Sequence, residues 1–102
     1  MPLGTRRDTF VVVKPFSWNS EKDRRLRDER GVSFQDVLLE ISEGRVLDVI
    51  DSPNNEKYPQ QRAFVLEING YVYYVPFVET DEEIFLKTII PSRKLNKKYQ
   101  GG

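Results

Sequence analysis

Along this chain the apolar residues recur first at three-and-four steps, then in alternation, and each change of spacing marks a boundary between elements. From Phe34 to Glu43 the residues Phe34, Val37, Leu38 and Ile41 share one helical face, which predicts a helix with a core-facing stripe. Ser33 with Asp36 three residues on forms the reciprocal pairing that satisfies a helix's first amides, and Gly44 supplies its left-handed end. Upstream, NSEKDRRLRDER has few apolar residues but opposite charges at helical spacing: Glu21 with Arg25, Asp23 with Arg27, Arg24 with Asp28, and Arg25 with Glu29. It reads as a first helix, capped by Asn19 or Ser20 and closed by Gly31.

Downstream the period becomes that of strands. RAFVLEI and YVYYVPFVE flank Asn69-Gly70, whose tolerance of positive φ predicts a type I′ hairpin. EIFLKTII follows the acidic tip Thr80-Asp81-Glu82-Glu83 as the third strand of a meander. Pro76 has no amide to give a central strand, which predicts a bulge there. Thr9 to Lys14, stopped by Pro15, reads as a short edge strand, and Arg45 to Ile50 as a strand rather than a helical remnant. DSPNNEKYPQQ is a turn-rich loop. Ser92 is placed to cap a last short helix. The chain, residues 1–102, is therefore read as one α+β domain: a mainly antiparallel sheet with two N-terminal helices and a short C-terminal helix, all packed on one face, with 1–15 as an N-terminal extension carrying the edge strand.

Composition narrows the chemistry. Cysteine and histidine are both absent, which removes thiolate nucleophiles, the usual neutral-pH base and the commonest zinc ligands. No metal site and no cofactor is expected; Asp81, Glu82 and Glu83 read as a solvated tip. No apolar run approaches the length of a membrane span, and the first residues lack a secretory signal, so the expected location is cytoplasmic. Sixteen cations balance sixteen anions, which points to a local basic site rather than a broad basic surface.

That local site is at the C-terminal end. Arg93, Lys94, Lys97 and Lys98 recur along one stripe of the last helix, while Leu95 and Tyr99, four apart on a neighbouring face, anchor it to the sheet. A rigid array of cations suits phosphate, and the guanidinium of Arg93, nearest the strand, matches two phosphate oxygens at once. The same cations also serve solubility and the helix dipole, and composition alone favours that plainer role.

The order of short motifs adds to this reading. Phe16-Ser-Trp18-Asn-Ser-Glu-Lys22, then Glu29-Arg30-Gly31-Val32-Ser33-Phe34, then Gln61-Arg62 opening a strand, then Ile89-Ile90-Pro91-Ser92-Arg93-Lys94 with Tyr99, resembles the BrnT family of bacterial toxin proteins over residues 16–99. The resemblance implies a RelE-like ribonuclease fold, a metal-independent endoribonuclease that arrests translation by cutting mRNA, on or off the ribosome, and a cognate DNA-binding antitoxin as protein partner. The chain departs from the pattern at Asn19, Ser20 and Glu29-Arg30, where the family carries Asp, Pro and Lys-His.

In metal-free cleavage a ribose 2′-hydroxyl attacks the adjacent phosphate, so a site must orient it, take a proton and stabilise the added negative charge. Arg93 is assigned the last task, with Arg62 second; Lys22 is assigned phosphate positioning or proton transfer, and Tyr99 proton transfer. Arg30, with Lys94, Lys97 and Lys98, is assigned RNA binding, since a guanidinium stays protonated and cannot replace a histidine base. Each has a plainer role: Arg62 in a cross-strand ion pair with Glu79, Glu82 or Glu83, Lys22 as a solvated helix lysine, Tyr99 as a packing anchor, and Glu29, a formal base, as partner of Arg25. Trp18 reads as a staple of the first helix to the sheet. The alternative function is a non-catalytic module of the same fold that holds RNA or an antitoxin-like protein.

Overall fold

The computed structural model describes residues 14–51 and 61–100. The edge strand expected over Thr9–Lys14 lies, but for Lys14, outside the described residues, as does the loop expected over 52–60. The elements run β1 (Phe16–Ser17), α1 (Ser20–Arg30), α2 (Phe34–Ser42), β2 (Asp48–Asp51), β3 (Arg62–Ile68), β4 (Tyr71–Glu79), β5 (Ile84–Leu86), β6 (Ile90–Pro91) and α3 (Arg93–Tyr99).

Local signals set the helix ends. Asn19 Oδ1 accepts the Lys22 amide at 2.9 Å, and Gly31, at φ 69°, closes α1. The Ser33 hydroxyl accepts the Asp36 amide while the Asp36 carboxylate accepts the Ser33 amide, completing the box that starts α2. Of the four ion pairs expected along α1 only Asp23 with Arg27 forms, at 3.3 Å. The other candidates are solvent-exposed and unpaired among the described residues, as suits surface pairs whose attraction barely exceeds the entropy of holding two long side chains. Asp23 differs because it is already held: its Oδ1 accepts the buried Phe34 amide at 2.8 Å, tying α1 to the first turn of α2.

The strands form a sheet in the order β1-β5-β4-β3-β2, with β6 also on β4. Among the described residues four of the five pairings are antiparallel, whereas β1 joins β5 in parallel, so the sheet is mixed. The sheet is mainly antiparallel, as expected, with one parallel join: both helices and three strands separate β1 from its partner, a connection to which no hairpin rule applies. The hairpin at Asn69 and Gly70 has both residues at positive φ, 55° and 82°.

Directly paired residues of antiparallel strands share a face, so the register assigns both faces. One carries Phe64, Leu66, Ile68, Tyr73, Val75, Phe77, Ile84 and Leu86, which pack with Leu26 of α1 and Phe34, Val37 and Ile41 of α2 into the main core. Trp18 stacks on Phe34, ring centroids 5.6 Å apart, and packs against the main core, which fastens the start of α1 to α2. The other face carries Ala63, Val65 and Val72, all fully buried. α3 crosses that second face, reaching from the β4 backbone to β2. The expectation that all helices pack on one face is therefore corrected; the second apolar face needed its own cover. No helix among the described residues is long and apolar enough to cross a membrane.

The bulge expected at Pro76 is present, but on the neighbouring strand. Pro76 continues β4, and the interruption falls at residues 87–89 between β5 and β6.

Candidate nucleic-acid interface

α3 has no fully buried residue, so polar contacts as well as packing hold it in place. Its Ser92 cap accepts the Leu95 amide at 3.1 Å and donates its own amide to the Val72 carbonyl. Asn96 Oδ1 accepts the Val72 amide at 3.0 Å, the Tyr99 hydroxyl donates to Asp48 Oδ2 at 3.1 Å, and Gln100 donates to the Gly70 carbonyl at 3.4 Å. Leu95, Asn96 and Tyr99 are half-buried, and Arg93, Lys94, Lys97 and Lys98 are exposed. The stripe and the anchoring face thus lie where the spacing predicted. None of the four cations has a carboxylate partner among the described residues; Lys98 Nζ lies 5.3 Å from the Tyr99 ring centroid. The pinned helix thus presents four positive charges on its outer face, none matched by a carboxylate among the described residues.

Of the remaining candidates, Tyr99 lies on α3 itself and Arg62 lies away from it. Arg62 pairs with Glu79, Nη2 to Oε1 3.2 Å, and its guanidinium lies 5.4 Å from the Phe77 ring centroid. Glu79 also accepts from Lys14 Nζ at 2.6 Å. That hydrogen bond from Lys14, with the charges of Lys14 and Arg62, holds the Glu79 carboxyl below its ordinary value against the opposing effect of burial. Arg62 therefore occupies the cross-strand ion pair that the sequence also allowed. It lies opposite Phe77, whereas α3 starts beside Val72, so about five residues of β4, roughly 17 Å, separate Arg62 from the α3 end of the sheet. A pocket built jointly from Arg62 and Arg93 is not formed.

Lys22 lies in the first turn of α1, without a partner for its amine among the described residues. Arg30, at the other end of α1, donates from Nη1 to the Ile89 carbonyl at 2.6 Å. Tyr99 is both anchor and hydrogen-bond donor, its hydroxyl engaged by Asp48. Thus Arg30 and Arg93 occupy the corner by β6, while Arg62 is at the far end of β4.

Sequence reasoning did not single out Asn96 and Asp48, two of the groups that fasten α3. A neutral amide in the middle of RKLNKKY, on the Leu95–Tyr99 side of the helix, is the one local signal that marks Asn96. Asp48 has none, since its partner lies 51 residues away. Compared with protein-family models, with curated proteins and with solved structures, the chain matches none.

Proposed function

We propose that this protein is the toxin of a toxin–antitoxin pair, akin to the BrnT family and RelE-like in architecture, that inhibits translation by engaging RNA through α3. The observation carrying this reading is the open row Arg93, Lys94, Lys97 and Lys98 on a helix pinned across the sheet. The ordered motifs from Phe16 to Tyr99 support the lineage. The succession of two helices, a mixed sheet and a closing helix suits the architecture. In the cleaving form of this proposal the Arg93 guanidinium takes the charge that develops on the phosphate, and Lys94, Lys97 and Lys98 hold the flanking backbone. The antitoxin that neutralises such a face is an acidic amphipathic segment lying along α3. Expression of the chain alone in a bacterial host arrests growth and protein synthesis, and Arg93→Ala relieves the arrest. Equal harmlessness of both proteins would remove the toxin reading.

A second reading, a module that holds RNA or an antitoxin-like protein without cutting, is favoured by the separation of Arg62 from α3 and the engagement of Arg62, Arg30 and Tyr99 by groups of the protein itself. RNA binding that weakens steeply with salt, with no cleaved product after prolonged incubation, selects it.

A further inference from the structure

Pro76 accepts the Lys87 amide on its carbonyl at 2.8 Å, so its nitrogen, which carries no hydrogen, faces the same neighbouring segment. Opposite that missing donor the register slips. Phe77 pairs with Leu86, but Tyr74 pairs with Ile90, so Val75 and Pro76 of β4 face Lys87, Thr88 and Ile89. This is a β-bulge of one additional residue. Because side chains alternate with period two, one added residue exchanges the faces of everything after it. Ile90 then shares the face of Tyr74, Ser92 comes beside Val72, and the chain leaves β6 toward the face that α3 covers. The bulge thus decides on which side of the sheet Arg93, Lys94, Lys97 and Lys98 are displayed.

At this bulge Ile89 is fully buried, and its carbonyl receives Arg30 Nη1 at 2.6 Å. We propose that Arg30 is a positioning residue for the cationic face. Its guanidinium clamps the Ile89 carbonyl, holds the bulge in the register that starts α3 at Arg93, and does not itself bind phosphate. The proposal rests on the RNA-binding reading above and reassigns Arg30 within it. The clamp joins the end of α1 to the segment feeding α3, so the position of the α3 cations depends on a side chain from the opposite layer of the fold.

The test uses Arg30→Met, Arg30→Lys and, as a control on α3, Lys94→Met, with a short single-stranded RNA oligonucleotide as probe. Affinity is measured across a salt series, and amide hydrogen exchange is followed at Ser92 and Leu95. A lost phosphate contact lowers the salt slope by about 0.7 on single-stranded nucleic acid, whereas a lost clamp leaves the slope alone. The proposal expects Arg30→Met to bind roughly ten-fold more weakly with the wild-type slope and to exchange about ten-fold faster at Ser92 and Leu95, the factor set by one ordinary hydrogen bond. Lys94→Met should show the reverse, a reduced slope and unchanged exchange. Arg30→Lys keeps the charge but not the planar fork, so its exchange should fall between wild type and Arg30→Met. A reduced slope with unchanged exchange in Arg30→Met overturns the proposal, as does wild-type behaviour in both measurements. Should Arg30→Met fail to fold, Arg30→Lys decides: exchange like wild type overturns the clamp. If the wild type binds no RNA, the RNA reading fails, while the exchange measurement still judges whether Arg30 holds α3.

Discussion

Replacement of Asn96 by alanine tests how α3 is held. Val72 is 0% exposed, so its amide has no water to fall back on, and the partner it has is Asn96 Oδ1 at 3.0 Å. Removing that acceptor leaves a buried donor unsatisfied, at a cost of about 1–3 kcal/mol. Alanine returns up to about 0.7 kcal/mol through its better helix propensity, so the net loss is roughly 0.3–3 kcal/mol. For a domain near this size each kcal/mol lowers the melting midpoint by about 4–8 °C, so a fall of about 10 °C is the central expectation. Asn96→Asp keeps an acceptor oxygen in the same place, next to Lys97, and should melt close to wild type. The assay is a thermal melt followed by circular dichroism on the three proteins. Alanine and wild type melting together would refute the reasoning, and so would aspartate falling as far as alanine, because the deciding feature would then not be an acceptor for the Val72 amide.

Three further outcomes follow from the same contacts. Glu79 titrates below its ordinary value of 4.5 in the folded protein, so its pairing stabilises the fold above that pH and the contribution disappears as pH falls through the lowered value. Urea midpoints taken down a pH series should therefore fall less steeply in this acid range for Glu79→Gln than for wild type. Asp23→Ala removes the acceptor of the buried Phe34 amide at the start of α2 and should cost about 1–2 kcal/mol in urea unfolding, while Asp23→Asn, which keeps Oδ1, costs much less. Gly70→Ala places a methyl at φ 82°, a strained conformation for any residue with a Cβ although the space around it is open, and should lower stability by about 1 kcal/mol in the same assay.

What was legible in the sequence was what neighbouring residues decide. The Asn69-Gly70 hairpin, the Ser33–Asp36 box, the cap at Ser92 and the two faces of α3 all depend on side chains within four positions of one another, and all are present. Pro76 announced a defect through its missing amide, but the defect lies in the strand beside it, because the partner segment carries the additional residue. Contacts across long separations were not legible. For Arg62 three carboxylates were available, and register selected Glu79, two positions beyond its partner Phe77 on the same face of β4. The parallel join of β1 to β5 and the reach of Tyr99 to Asp48 depend on how the layers meet. For the same reason spacing along one helix places Arg93, Lys94, Lys97 and Lys98 together, but nothing local reveals that Arg62 lies at the far end of β4.

The most direct measurement is the salt dependence of binding to a short single-stranded RNA, for wild type and for the chain with Arg93, Lys94, Lys97 and Lys98 all changed to glutamine. If all four cations lie against phosphates, the slope of log affinity against log salt should differ by about 2.8, four contacts at about 0.7 each; between 50 and 200 mM salt that is roughly a fifty-fold difference in how far affinity falls. Binding with the same slope in both proteins would place the RNA elsewhere and contradict the account.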